Sequence, residues 1–320
     1  MMKWIFLVVC LMLNAWSNED NYPVDIYDKV ILYDAKNALL SARNLEEALN
    51  SKAKVKESFE QLALNWKRVQ TLYIAGELDE GAVDLPYEID IYHNAKESIY
   101  EQLDRIIVSD DTPQRAMFKN SHKTINALEY LLYKKSVNEE KEREMALIAL
   151  RKVTQNLEKI VTIYDNARTT LVQNEKKFNA LLINQLSVSS YELKEWRVGE
   201  ATGLSKKYKD NPDNKRAEFA LSALSVPAIL AILETHAKVM DAPYVDFGDK
   251  AIEYGATHDI TLIRASIHSA LKNAKGLNNS LLHVNAKKLY ADLGKLHNGY
   301  YVSLISSLRM TSKILDADGD

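Results

Sequence analysis

Cysteine is nearly missing from this 320-residue chain: Cys10 stands alone, so no disulfide can form within it. Ten glycines and six prolines are too few for collagen-like, linker-like or turn-dense all-β architectures. Excess positive charge is missing too. Lys and Arg number 41 against 44 Asp and Glu, a net charge of −3, so the chain lacks the overall basic footprint of a nucleic-acid binder. Several catalytic signatures are also absent. There is no His-Glu-x-x-His, and none of the seven histidines is followed by Glu three residues later. Neither a Gly-x-Ser-x-Gly elbow nor a phosphate loop ending in Gly-Lys-Ser/Thr occurs. Disorder is excluded by what is present, because 47% apolar residues can outweigh the entropy of ordering.

One uninterrupted apolar run lies at the start. Lys3 precedes Trp4–Leu13, and Ala15-Trp16-Ser17 places small residues where a signal peptidase reads. This predicts a signal peptide over 1–17, export to the periplasm or cell envelope, and no permanent transmembrane segment after cleavage. Ten apolar residues fall short of the ~20 needed to span a bilayer. Cys10 does not make a good lipoprotein signal, since Val9 is large where a small residue belongs. Cleavage would remove Cys10 and Lys3, leaving a thiol-free chain of net charge −4, which excludes thiolate metal sites and thiol catalysis.

The remainder reads as helix. Val55, Phe59, Leu62, Trp66, Val69 and Tyr73 recur at steps of three and four, the spacing of one buried face on a 3.6-residue repeat. The same rhythm runs through Leu147–Leu171, Ile260–Ala274 and Leu289–Leu304, while sustained period-two alternation is hard to find. Breaks are expected near 51, 78–92, 109–113, 135–139, 174, 203–213, 241–247 and 276–284. They leave about eight helices in two groups and predict an all-α chain of two abutting four-helix-bundle-like domains, 18–175 and 176–320. Pro227, inside an apolar run, is expected to kink a helix or to divide two.

Three local features carry potential chemistry. On a helix expected near 112–134, His122, Asn126 and Glu129 fall at i, i+4 and i+7, one polar stripe that suits a hard cation or a hydrogen-bonded seam. Between Glu77 and Asp90 lie six acids and no Lys or Arg, followed by His93 and Glu97 at i, i+4, a spacing for a shared metal or an exposed pair. Finally, Trp196-Arg197 precedes Gly199 and Gly203, which suggests a tight turn or close backbone approach. Arg197 there could clamp an anionic ligand or pair structurally with a carboxylate.

Taken in order, these segments resemble the imelysin-like family of bacterial envelope proteins over nearly the whole chain beyond the signal. The resemblance rests on Asn65-Trp66-Lys67-Arg68 with Gly76-Glu77-Leu78-Asp79, and on Ile89-Asp90-Ile91-Tyr92. It rests further on Ala127–Leu132, Trp196–Glu200 with Gly203-Leu204, and the terminal Asp318-Gly319-Asp320. The family's Gly-x-His-x-x-Glu motif falls here on Thr124, Asn126 and Glu129, so only the Glu is kept, as in a subgroup lacking the motif His. The resemblance implies two helical bundles related by a pseudo-twofold axis, with a site where they meet, and a place in iron uptake.

It places Trp66, Asn126, Glu129 and Arg197 at an inter-bundle cleft as ligand-binding residues, with His122, Glu129, His93 and Glu97 as metal-ligand candidates. The expected function is a non-enzymatic ligand-, metal- or partner-binding accessory in iron acquisition, with iron or haem as cargo and envelope iron-uptake proteins as partners. Two alternatives stand beside it. One is a metallopeptidase of the imelysin type with a degenerate motif, weakened by Asn126 at the His position. The other is a helical docking scaffold without a small-molecule site.

Overall fold

A computed structural model describes residues 21–94, 97–278, 280–282 and 284–309. The signal segment 1–17 with Lys3 and Cys10, and the terminal Asp318-Gly319-Asp320, lie outside them. The fold is all-α, and no strand occurs among the described residues. Among the described residues no helix is long and apolar enough to cross a membrane.

Local chemistry sets most helix ends. Asn138 opens the longest helix, Glu139–Val172, by accepting the Lys141 N–H at 3.2 Å, with Glu139, Glu140 and Glu142 against the positive end of the helix dipole. The chain turns at Gln173-Asn174, and the Asn174 side chain caps the next helix, Glu175–Glu192, through the Lys177 N–H at 3.1 Å. Asp246 and Asp249 form a reciprocal capping box at the start of Phe247–Glu253.

The expected apolar faces are buried. Phe59, Leu62 and Trp66 of the helix Val55–Thr71 are fully covered, as are Ile260, Ile263 and Ile267 of Thr257–Lys275 and Leu289, Leu293 and Leu296 of Asn285–Asn298. Each such side chain contributes about 1.5–3 kcal/mol on leaving water. One apolar cluster joins them, reaching from Tyr22 to Ile305. The helix Leu32–Ser51 lies along Glu139–Val172, where exposed pairs line the seam: Lys36–Asp165 at 3.0 Å, Arg43–Glu158 at 2.9 Å and Arg151–Glu46 at 3.5 Å. Solvent screens such pairs, so each is worth at most about 1 kcal/mol and packing does the holding.

Two local expectations are corrected. Pro227 neither kinks nor divides a helix, because it falls in the first turn of Ser225–Met240, where its missing N–H costs nothing. The single helix expected near 112–134 is three pieces: Pro113–Ala116, a 3-10 turn Asn120–Lys123, and Ile125–Tyr133. Thr124 is the cause. Its backbone is extended (φ −112°, ψ 169°) and its hydroxyl accepts the Ala127 N–H at 3.3 Å, so the helix starts afresh after it. His122 therefore does not share a stripe with Asn126 and Glu129.

Candidate functional site

Where Val55–Thr71 passes the segment Leu193–Gly199, the protein buries a cluster of four charges, with a fifth, Glu192, partly exposed at its edge. Trp66 and Lys67 are consecutive on their helix yet both fully buried, because that helix is covered on more than one side. The Lys67 ammonium bonds the carboxylates of Asp90 and Glu218, and Gln70 Oε1 at 2.7 Å. Its three N–H donors are thereby satisfied, the condition for burying an ammonium at all. Trp66 Nε1 donates to Asp90 Oδ2 at 3.1 Å.

Arg197 closes the cluster from the other side. The Leu193–Gly199 segment winds as a wider π-type turn, a form that carries an extra residue and re-aims the side chains beyond it. Arg197 Nε donates to Glu218 Oε2 at 2.9 Å, Nη1 to Glu192 Oε2 at 3.2 Å, and Nη2 to Gln70 Oε1 at 2.9 Å. Of the two roles open to Arg197, the structural pairing is the one observed. Gly203 is required by its conformation, and Gly199 sits in a tight fit. A Cβ on Gly199 would stand 3.0 Å from the Lys194 carbonyl, and Gly203 has φ +70° with Asn211 and Pro212 backbone atoms at 2.8–2.9 Å.

The charges work on one another. Burial alone would raise the Asp90 pKa, but the Lys67 charge and hydrogen bond, with the Tyr92 N–H, hold it down at about 2. Glu218 goes the other way: burial raises it despite Lys67 and Arg197. For Arg197, burial is outweighed by Glu218, Glu192 and Asp90, which keep it charged. Two cations face three carboxylates, so the cluster carries a net −1.

Asn126 and Glu129, one turn apart on Ile125–Tyr133, fasten the two loops that deliver the cluster's carboxylates. Asn126 Oδ1 accepts the Ile91 N–H at 2.7 Å, beside Asp90. Glu129 Oε1 accepts from the Ser222 N–H at 2.8 Å and its hydroxyl at 2.7 Å, in the turn that follows Glu218. Glu129 is buried and its pKa is raised by that burial. It does not meet Arg197. Trp66, wholly covered, shows no face to solvent.

The remaining candidates do not come together. His93 sits in the left-handed region at φ +69°, stacks on Trp196 with ring centres 4.1 Å apart, and lies 3.0 Å from Glu200 through Nε2. Glu97 instead accepts from Lys119 and Gln102, each at 3.0 Å. His122 bonds Gln102 Oε1 at 2.9 Å. The acids of 77–90 also diverge: Asp79 turns back to the Gly81 N–H at 2.7 Å, Glu88 pairs with Lys152 at 2.8 Å, and Asp90 enters the cluster. Among the described residues no three His, Cys, Asp or Glu side chains form a metal-ligating group.

Beside the cluster lies a tight polar recess, without room for a water-sized body, lined by Lys67, Gln70, Thr71, Ser189, Glu192, Arg197 and Ile232. Behind it Ser189 Oγ is 3.2 Å from His236 Nε2, whose Nδ1 is 3.1 Å from the Tyr300 hydroxyl. Burial pushes His236 down to about 3, which makes it a weak base towards Ser189. Sequence reasoning missed Gln70, Glu192, Glu218, Ser222 and this serine–histidine chain. Lys67, a charge beside Trp66 on a helix with an apolar face, was the available signal; Glu218 stands in an irregular stretch that offered none.

These observations define an all-α protein with a largely buried ion cluster and a tight polar recess at its edge. The sequence model of the imelysin family matches residues 33–305, and the chain belongs to that family. Two solved structures share the fold. An imelysin-like protein from Psychrobacter arcticum 273-4 aligns at 14% identity over 92% of this chain and 96% of its own, with a TM-score of 0.71. A protein described as an iron-regulated protein A precursor, from Parabacteroides distasonis ATCC 8503, aligns at 12% identity over 90% and 94%, with a TM-score of 0.69. No curated protein matches the chain significantly.

Proposed function

We propose that this imelysin-family protein is an exported, non-enzymatic accessory of iron acquisition at the cell envelope, and that a cargo cation, free or chelated, is met at the recess beside the ion cluster. The observation that carries the reading is the set of oxygen groups beside the cluster. The partly exposed Glu192 carboxylate shares the recess with the Ser189 and Thr71 hydroxyls and the Gln70 amide, while Lys67 and Arg197 in the same lining are already paired within the cluster. Hard oxygen donors of this kind suit a small cation. The recess leaves no room for a water-sized body, so haem or a peptide has no place there, and a cation enters only as the side chains around Glu192 part. The iron-regulated description of one structural neighbour agrees in direction.

In this proposal 18–175 and 176–320 are two bundles related by a pseudo-twofold, with the turn at Gln173-Asn174 between them, and the cluster is the clasp where they meet. Asn126 and Glu129 hold its loops, Trp66 orients Asp90, and Arg197 neutralises Glu218. The peptidase alternative asks Glu129 to act as a free base or ligand, whereas its Oε1 already accepts two bonds from Ser222.

The test is thermal unfolding of residues 18–320 with ferrous iron, ferric citrate or haem. A ligand that binds only the folded state at 100 times its Kd adds about 2.7 kcal/mol. Stabilisation by ferrous iron or ferric citrate, lost in Glu192→Gln, is expected. Stabilisation that survives Glu192→Gln moves the site elsewhere. No stabilisation by any of the three favours the docking scaffold, and chelator-sensitive peptide cleavage would replace the reading with the peptidase.

A further inference from the structure

One end of the protein has a character opposite to its overall charge. Three of its segments converge there: the loop 203–216, the end of Thr257–Lys275, and the turn leading into Asn285–Asn298. The Leu281 N–H donates to Asn214 Oδ1 at 3.3 Å, and Asn285 Nδ2 to the Gly276 carbonyl at 3.2 Å, which ties the three together. Lys206, Lys209 and Lys215 from the loop, Lys275 from the helix end, and Lys287 and Lys288 from the following helix are all exposed. None of the six forms a salt bridge with a described residue.

Nearby acids are otherwise engaged: Asp213 accepts the Lys215 N–H at 2.9 Å, and Asp292 accepts from Ser269 and Asn273 at 2.6 and 2.7 Å. Asp210 is the exposed exception. Amid these lysines stand two uncovered apolar side chains, Leu282 at 54% exposure and Val284 at 69%. The loop that carries three of the lysines is well fastened. Arg216 covers the Tyr208 ring at 4.2 Å and donates to the Asn211 carbonyl at 2.6 Å.

We propose that this lysine-rich end is a docking surface for an anionic phospholipid membrane, with the lysines on the headgroups and Leu282 and Val284 entering the interface. A lone pair of protruding apolar side chains ringed by lysines suits a fluid, negatively charged boundary, which supplies both counter-charge and apolar depth. A single-stranded nucleic acid would stack on exposed aromatic side chains, and Tyr208 is covered by Arg216; a duplex would meet the lysines but leave Leu282 and Val284 without a role. A protein partner would need a grooved or packed apolar centre, which two isolated side chains do not make.

The experiment is co-sedimentation of residues 18–320 with vesicles of phosphatidylglycerol and phosphatidylcholine in equal parts, against phosphatidylcholine alone, at low and high salt. The protein is expected to sediment with the anionic vesicles only, and to be released by salt. The triple substitution Lys206→Glu, Lys209→Glu, Lys215→Glu should lower partitioning by more than about 100-fold. Leu282→Ser with Val284→Ser, which adds no charge, should lower it by at least about tenfold. All five side chains are exposed, so circular dichroism and melting should be unchanged in both variants. No binding to anionic vesicles at low salt overturns the proposal, as does a triple variant that binds like the parent. Binding that needs the lysines but ignores Leu282 and Val284 also overturns it and points to an acidic protein partner.

Discussion

Lys67 offers a demanding test, because replacing it with Met keeps most of its apolar stem and removes its charge together with its three hydrogen bonds. In Lys67→Met, Asp90 keeps the Trp66 Nε1–H at 3.1 Å and the Tyr92 N–H at 3.0 Å, and Glu218 keeps Arg197 at 2.9 Å. The cluster moves from net −1 to −2 in a region where Asp90 and Glu218 are almost wholly covered. Removing one partner of a buried ion pair costs about 3–5 kcal/mol, and that is the loss expected near neutral pH.

Its pH dependence follows from the carboxylates. In the parent, Asp90 is held at about 2, below its unfolded value. It therefore contributes stability that is present above about pH 4 and is lost as pH falls towards 2. Without Lys67 the burial of Asp90 is no longer offset, its pKa rises above the ordinary carboxylate range, and it takes up a proton on mild acidification. Guanidinium unfolding of parent and variant should thus show the full deficit at about pH 7.5 and a clearly smaller one at about pH 5. Adding Asp90→Asn should recover part of the loss, since the uncompensated charge is then gone. A deficit under about 1 kcal/mol at neutral pH, or one that is equal at both pH values, would refute the reasoning.

Three further outcomes are expected. Glu129→Gln retains a side-chain acceptor for Ser222 and removes a charge whose pKa burial has raised, so its melting temperature should match or exceed the parent's at neutral pH and fall behind on acidification; Glu129→Ala, which releases the Ser222 turn, should cost about 1–3 kcal/mol. Gly203→Ala forces a Cβ to 2.8 Å from the Pro212 nitrogen at φ +70°, and should lose roughly 1–3 kcal/mol by chemical denaturation. His236, pushed down to about 3, stays neutral when folded but charges when unfolded, so stability drains as pH falls from about 6.5 towards 3, and His236→Gln should flatten that limb of the stability–pH curve.

The helical architecture was legible because it depends on short-range spacing. Val55, Phe59, Leu62 and Trp66 had to share a face, and the described structure buries all four at least partly. Breaks were legible too, since Asn138, Asn174 and Gly203 act through their own or adjacent backbone. Thr124 misled: its apolar neighbours suggested one continuous helix, while its hydroxyl caps a new one and moves His122 out of line. Arg197 and the two glycines after it were recognisable as a special turn, but whether Arg197 would face a ligand or a carboxylate was not.

The sequence by itself determined the all-α class, the helix faces and most of the breaks, because these are set by interactions a few residues apart. Tertiary structure alone decided the charge cluster. Lys67, Asp90, Arg197 and Glu218 come from four distant segments, and an ammonium or carboxylate survives burial only if its partners arrive within hydrogen-bonding distance. Which partners arrive depends on how the loops at Ile91 and Ser222 are fastened by Asn126 and Glu129, and no local pattern in the chain encodes that pairing.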